Sequence, residues 1–99
     1  MDFQVGLTEE AIADLGNIAE FIARDSPETA EQVGLELLAT AESLRLFPNR
    51  GVVVKERSDM RKVFRWSYAI YYRVKVAERR VEVLRIWDVR QDPLKLSLP

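Results

Sequence analysis

Five arginines in the second half of the chain, Arg61, Arg65, Arg73, Arg85 and Arg90, are the residues best suited to chemistry. They stand among Tyr68, Tyr71 and Tyr72, with Asp88 and Asp92 close behind. A guanidinium grips phosphate or carboxylate through a forked pair of hydrogen bonds and stacks on flat groups. A tyrosine hydroxyl can donate or accept a proton near a reacting phosphate. Asp88 could act as a base or simply pair with a neighbouring arginine. The same residues also describe a solvated sheet face with packed tyrosine rings. Tyr71 is the best exception to packing, because it shares strand parity with Arg73.

The rest of the composition narrows these options. Among 99 residues there is no cysteine and no histidine. Disulfides, thiol nucleophiles, imidazole bases and the usual zinc ligands are therefore excluded. No glycine-rich phosphate loop, metal-ligand spacing or nucleophile triad appears, so no metal and no cofactor are expected. No apolar run approaches the 20 or so residues of a membrane span, and the start MDFQVGLTEE lacks the pattern of a signal peptide. The expectation is a cytoplasmic protein with no membrane partner.

Charge is divided unevenly. Residues 1–50 hold 3 basic and 10 acidic residues, a net −7, and residues 51–99 hold 12 basic and 6 acidic, a net +6. Such a split points to partners. The acidic residues Glu9, Glu10, Asp14, Glu20, Glu28, Glu31, Glu36 and Glu42 read as an ordinary solvated helix face, and could also oppose a basic partner.

The elements that must position these groups follow from the apolar spacing. Phe3 to Leu7 alternates and predicts a short opening strand. Thr8 reads as an N-cap with Glu9 and Glu10 in the first turn, opening a helix to about Arg24. Ile12, Leu15, Ile18, Ala19 and Ile22 form its apolar stripe. Ser26 and Pro27 restart a second helix with Ala30, Val33, Leu37, Ala41 and Leu44 on one side. Gly34 and Ala41 are small enough to let the helices approach closely. Phe47-Pro48-Asn49-Arg50-Gly51 ends it with turn chemistry.

After that the period changes to two. Met60–Trp66, Tyr68–Val76 and Val81–Trp87 read as three strands of an antiparallel meander, with a turn at Ala77-Glu78-Arg79. Residues 89–99 read as a tail. One α+β domain over 1–99 results, in the order strand, helix, helix, strand, strand, strand (β-α-α-β-β-β). The helix hairpin packs on one face of an antiparallel sheet and the other face stays partly open to water.

These pieces together resemble the RelE/ParE superfamily, the toxins of type II toxin–antitoxin (plasmid stabilisation) modules. The resemblance runs through TEEAIADLGNIAEFIA, through SPETAEQVGLELLATAESLRLFPNRG, and most specifically through Arg61, YAIYYRV and VEVLRIWDVRQDP. It implies the same fold and a cognate antitoxin, with a homodimer or a heterotetramer as compatible assemblies. It implies growth inhibition by one of two routes. A ParE-like toxin binds DNA gyrase, and a RelE-like toxin cuts messenger RNA on the ribosome. For binding a target, the implied residues are Arg61, Arg65, Arg73, Arg85, Asp88 and Arg90. For cutting RNA they are Arg61, Tyr71, Arg73 and Arg90. Asp88 stands where many relatives have histidine, and a carboxylate beside a phosphate is repelled unless neutralised. That departure and the sequence pI of about 5.5 favour the gyrase-binding route over the ribosomal one. A member that has lost toxicity and only forms a complex is the third alternative.

Overall fold

The computed structural model describes residues 2–99. Its opening strand β1 (Gln4–Leu7) leads directly into helix α1 (Glu9–Ala23). Thr8 makes that junction. Its side-chain oxygen accepts the Ala11 N–H at 3.1 Å, and its hydroxyl donates to the Leu84 carbonyl at 3.0 Å. One residue thus caps the helix and fastens it to the sheet. Helix α2 (Pro27–Glu42) starts in the same way, with the Ser26 hydroxyl oxygen accepting the Thr29 N–H at 3.2 Å and Pro27 in the first turn. Both expected helices are therefore present within a residue or two of their expected starts.

Four strands follow: β2 (Val52–Val54), β3 (Arg57–Arg65), β4 (Tyr68–Lys75) and β5 (Arg80–Asp88). The sheet order is β1-β5-β4-β3-β2. The α+β architecture, with a helix hairpin on a sheet, is as the sequence predicts. Two details extend it. The short edge strand β2 pairs with β3 through a register irregularity at Val53/Val54. The opening strand runs parallel to β5, with Val5 beside Val81 and Leu7 beside Val83. That register keeps the apolar parity of both strands on the core side, and a shift of one residue would turn Val5 and Leu7 outward.

The core lies between the helices and one sheet face. Ala11, Leu37, Ala41 and Leu44 meet Val63, Ile70, Tyr72, Val81, Val83 and Ile86 there. Leu15 and Ile18 of the first helical stripe pack against the core as expected, but its first member does not. Ala11 is buried, whereas Ile12 is 59% exposed. The reason is Thr8: its anchor on Leu84 fixes the helix rotation and brings Ala11, three residues on, against the sheet. Gly34 is not a close-approach point either, since an added Cβ there would meet nothing within 4 Å. Ala41, 1% exposed, does lie in the packed interior.

Two polar devices complete the frame. Tyr72 is fully buried, and its hydroxyl accepts the Gly51 N–H at 2.9 Å and donates to the Pro48 carbonyl at 2.7 Å. A Cβ on Gly51 would lie 2.6 Å from the Tyr72 hydroxyl oxygen and 2.7 Å from the Lys62 carbonyl. Glycine is required there by space alone. The second device lies where β1 ends. Beyond Val83 that edge of β5 has no strand beside it. Asp14 of α1 covers the gap: Oδ2 accepts the Ile86 N–H at 3.0 Å and Arg85 Nε at 2.7 Å, and Oδ1 accepts Arg85 Nη2 at 2.9 Å.

Gly51→Ala should lower stability by about 2 kcal/mol, because overpacking a filled site displaces backbone. Asp14→Ala should cost about 3 kcal/mol, since it strands a shielded guanidinium and a strand N–H together. Urea denaturation of the two variants against the parent chain measures both. A loss below about 0.5 kcal/mol for Asp14→Ala would show that the edge contact is dispensable.

Candidate functional site

The arginines do not form one continuous open face. Pairing of β3 with β4 sets Arg61 beside Tyr72 and Arg65 beside Tyr68, on the helix side of the sheet. Tyr71, Arg73 and Lys62 belong to the opposite side. The five arginines therefore do not share one face, and the cause is strand register.

Each guanidinium also has a partner inside the fold. Arg61 donates to the Gly51 carbonyl at 2.8 Å and to the Asn49 carbonyl at 3.2 Å, holding the loop that Tyr72 anchors. Arg65 reaches Glu36 of α2 at 3.2 Å and stacks 4.2 Å above the Trp66 ring. Arg73 pairs with Asp59 at 3.7 Å, while its Nε is buried and has no partner among the described residues. Arg85 is clasped by Asp14. Arg90 grips Asp88 with Nε at 3.0 Å and Nη2 at 2.8 Å.

The far side of the sheet is covered over part of its area, while Phe64 on that side of β3 stays 48% exposed. Met60, Ala69, Tyr71 and Leu84 are at most 8% exposed yet stand outside the helix-side core. The tail returns over them. Arg85 Nη1 donates to the Ser97 carbonyl at 2.9 Å, and Arg57 donates to the Pro99 carbonyl. Leu96 and Leu98 are half-buried, whereas Leu94 is exposed. The expected partly open face is thus open at Phe64 and shielded where the tail crosses it.

Arg85, Asp88 and Arg90 do come together, in a cleft of about 860 Å³ between the second half of α1 and the end of β5. Phe21, Arg24, Tyr68 and Trp87 also line it. Arg24 lies 5.8 Å from the Phe21 ring centre and Arg85 5.9 Å from that of Trp87. Arg61, Tyr71 and Arg73 lie outside this cleft. Sequence reasoning placed Asp14 on a solvated acidic face and did not single out Phe21 or Arg24. The one available signal was the aromatic Phe21 on that polar side.

Protonation follows from these contacts. Burial raises the hydroxyl pKa of Tyr68, Tyr71 and Tyr72, with Asp88 adding to the effect at Tyr68. All three are neutral donors at ordinary pH. The Arg90 hydrogen bond holds the Asp88 carboxyl below its usual range. Asp88 is thus an ionised acceptor, and its charge is neutralised in place. The arrangement can recognise and bind, but these groups include no base and acid poised on either side of a common reacting atom.

A second surface is apolar. Ile12, Leu35 and Leu38, exposed by 59, 60 and 41%, flank a shallow groove of about 590 Å³ along the outer side of the hairpin. Gly16, Ala19 and Gly34 form its floor, and Glu20 and Glu31 stand at its rim.

The low Asp88 pKa has a direct consequence. A carboxyl lowered by folding contributes stability above its unfolded pKa and loses it as pH falls through the folded value. Asp88→Asn should therefore lower the urea midpoint at pH 7. The difference from the parent should shrink as the pH falls from about 4 downward. A difference independent of pH would rule out the ion pair as its source.

Comparison with known proteins adds to the geometry. Residues 5–93 match the model of the family described as ParE toxin of type II toxin–antitoxin system, parDE. No curated protein sequence matches the chain significantly. Among solved structures, the chromosomal ParDE system of P. aeruginosa is similar at 25% identity and a TM-score of 0.73, over 88% of this chain and 96% of that one. The RelBE2 toxin–antitoxin complex of Mycobacterium tuberculosis shares the fold at 21% identity and a TM-score of 0.69, over 87% and 96%. A full-length fold match and a family match over residues 5–93 agree with the strand, helix-hairpin and sheet order built above, and the chain belongs to the ParE toxin family of type II toxin–antitoxin systems.

Proposed function

We propose that this toxin inhibits growth by binding a protein target, DNA gyrase, and is neutralised by an antitoxin encoded beside it. The observation that carries the first half is the engagement of the arginines. Arg61, Tyr71, Arg73 and Arg90 are the groups a ribosomal nuclease would need: Arg61 lies across the sheet from Tyr71 and Arg73, Arg90 lines the cleft by α1, and Arg73 and Arg90 are paired with Asp59 and Asp88. Cleavage through a 2′-hydroxyl needs a base, an acid and a free cation around one phosphate. Binding needs only shape and exposed groups. Of the residues expected at a target contact, Arg85, Asp88 and Arg90 share one cleft, where Arg90 stands 70% exposed and Arg85 and Asp88 lie in more shielded positions.

The apolar groove of the hairpin supports the second half. An exposed stripe of Ile12, Leu35 and Leu38 with acidic rims fits an amphipathic segment that carries apolar anchors and basic flanks. In the P. aeruginosa ParDE system and the M. tuberculosis RelBE2 complex, a related chain is found with its antitoxin. The antitoxin of this chain occupies the groove mainly through apolar contact.

Two experiments test these halves. Induction in cells should change DNA supercoiling and leave messages intact, and Arg90→Ala should weaken the growth arrest. Rapid cleavage of messages on the ribosome with unchanged supercoiling would overturn the gyrase reading in favour of the nuclease. No growth effect at all would favour a non-toxic member. For the antitoxin, Leu35→Asp should weaken association at least tenfold. Raising salt from 0.1 to 0.5 M should change it little, because apolar contact is not screened as charge pairing is. A steep loss with salt, combined with unchanged association of the Leu35→Asp chain, would point to the arginines instead.

A further inference from the structure

The sheet face away from the helices combines three features that a structural core does not need. It buries Met60, Ala69, Tyr71 and Leu84 under a segment that is itself only half-buried. That segment is held at its end by side chains on carbonyls, Arg85 to Ser97 and Arg57 to Pro99, with no strand pairing to the sheet. On the same face Arg73 keeps a buried Nε with no partner, although a carbonyl or carboxylate could satisfy it.

We propose that this face is a groove for an extended peptide segment, and that residues 96–99 are its resident occupant, displaced when a partner segment binds. The tail states the chemistry of that partner. Leu96 and Leu98 approach the face at alternate positions, as the two sides of an extended chain require. Main-chain carbonyls of Ser97 and Pro99 meet arginines that stand ready for acceptors. A partner segment therefore carries apolar side chains two apart and offers carbonyl or carboxylate oxygens to Arg57, Arg73 and Arg85. An oxygen for Arg73 is the one contact the resident tail does not make, and it gives the partner an advantage over the tail. Occupation by the tail reduces apparent affinity by the fraction of time the groove is filled, and it keeps an apolar surface from open exposure. The inference rests on the toxin reading only for the biological identity of the partner.

A fluorescent synthetic peptide of residues 93–99, PLKLSLP, tests the groove directly. Fluorescence anisotropy should show it binding the chain truncated after Asp92 at least tenfold more tightly than the full chain. The same peptide with Leu96→Asp and Leu98→Asp should fail to bind. A truncated chain that unfolds cooperatively but ignores the peptide would overturn the proposal. Should truncation prevent folding, the full chain carrying Leu96→Ser and Leu98→Ser takes its place. Folding with peptide binding then supports the groove, and loss of folding there would show the tail to be core. Growth inhibition plays no part in this readout, so a failure of the toxin reading and a failure of the groove are distinguishable.

Discussion

Past Val83, strand β5 loses its parallel neighbour and would present bare N–H groups to water beside the core. Asp14 closes that gap from the middle of α1, and the same carboxylate holds Arg85 in a two-point grip. Both side chains are well shielded, 14 and 16% exposed. Several constraints meet at this contact. It sets how far α1 runs along the sheet, and together with the Thr8 anchor on Leu84 it fixes the helix rotation that buries Ala11 and exposes Ile12. It also turns the remaining Arg85 donor toward the tail, where it meets Ser97. Core packing, the outer groove and the tail position therefore share one origin at the edge of β5. An unprotected edge is a hazard for aggregation, and a buried acceptor on the strand N–H removes it.

The charge split between the two halves of the chain takes its meaning from the same contact. The acidic half forms the helix layer and the basic half forms the sheet, so the opposite signs face one another within one domain. Asp14–Arg85 and Glu36–Arg65 are the ion pairs that cross between the layers. Within the basic half, Asp59, Glu82 and Asp88 take up Arg73, Lys75 and Arg90. Of the five arginines that stand out in the sequence, four are committed to carboxylates in the structure, and Arg61 is held by carbonyls. Exposed pairs of this kind contribute little to stability one by one. They matter here because a cation held by a carboxylate is a weaker ligand for phosphate.

Legibility in the sequence followed the range of the interaction. Thr8 and Ser26-Pro27 could be read because a cap acts on N–H groups two or three residues away. The alternation of Tyr68 to Val76 could be read because pleat parity is local. The family resemblance was legible through the order of Arg61, YAIYYRV and VEVLRIWDVRQDP. Asp14 was not legible, because its role depends on a strand edge far away along the chain. Facing of the arginines was not legible for a related reason. Arg61 and Arg65 share parity with Val63, and only pairing of β3 with β4 decides that this parity meets the helices. The register shift between Tyr71 and Tyr72 on β4 sets Arg85 and Val83 beside adjacent residues, and strand counting alone cannot anticipate a bulge. The tail was read as featureless because Leu96 and Leu98 lack the length of a strand, and their significance lies in the surface they cover.

Two apolar surfaces remain once the pairs are assigned, and they differ in kind. The hairpin groove is exposed, floored by small residues and rimmed by acid. The far sheet face is covered by the chain itself and edged by arginines. A partner that engages the first needs basic flanks, and one that engages the second needs acceptor oxygens. A segment suited to one is poorly suited to the other, because like charges at a rim oppose docking. The fold thus carries two apolar surfaces with rims of opposite charge, one on the outer side of the hairpin and one on the sheet face away from it.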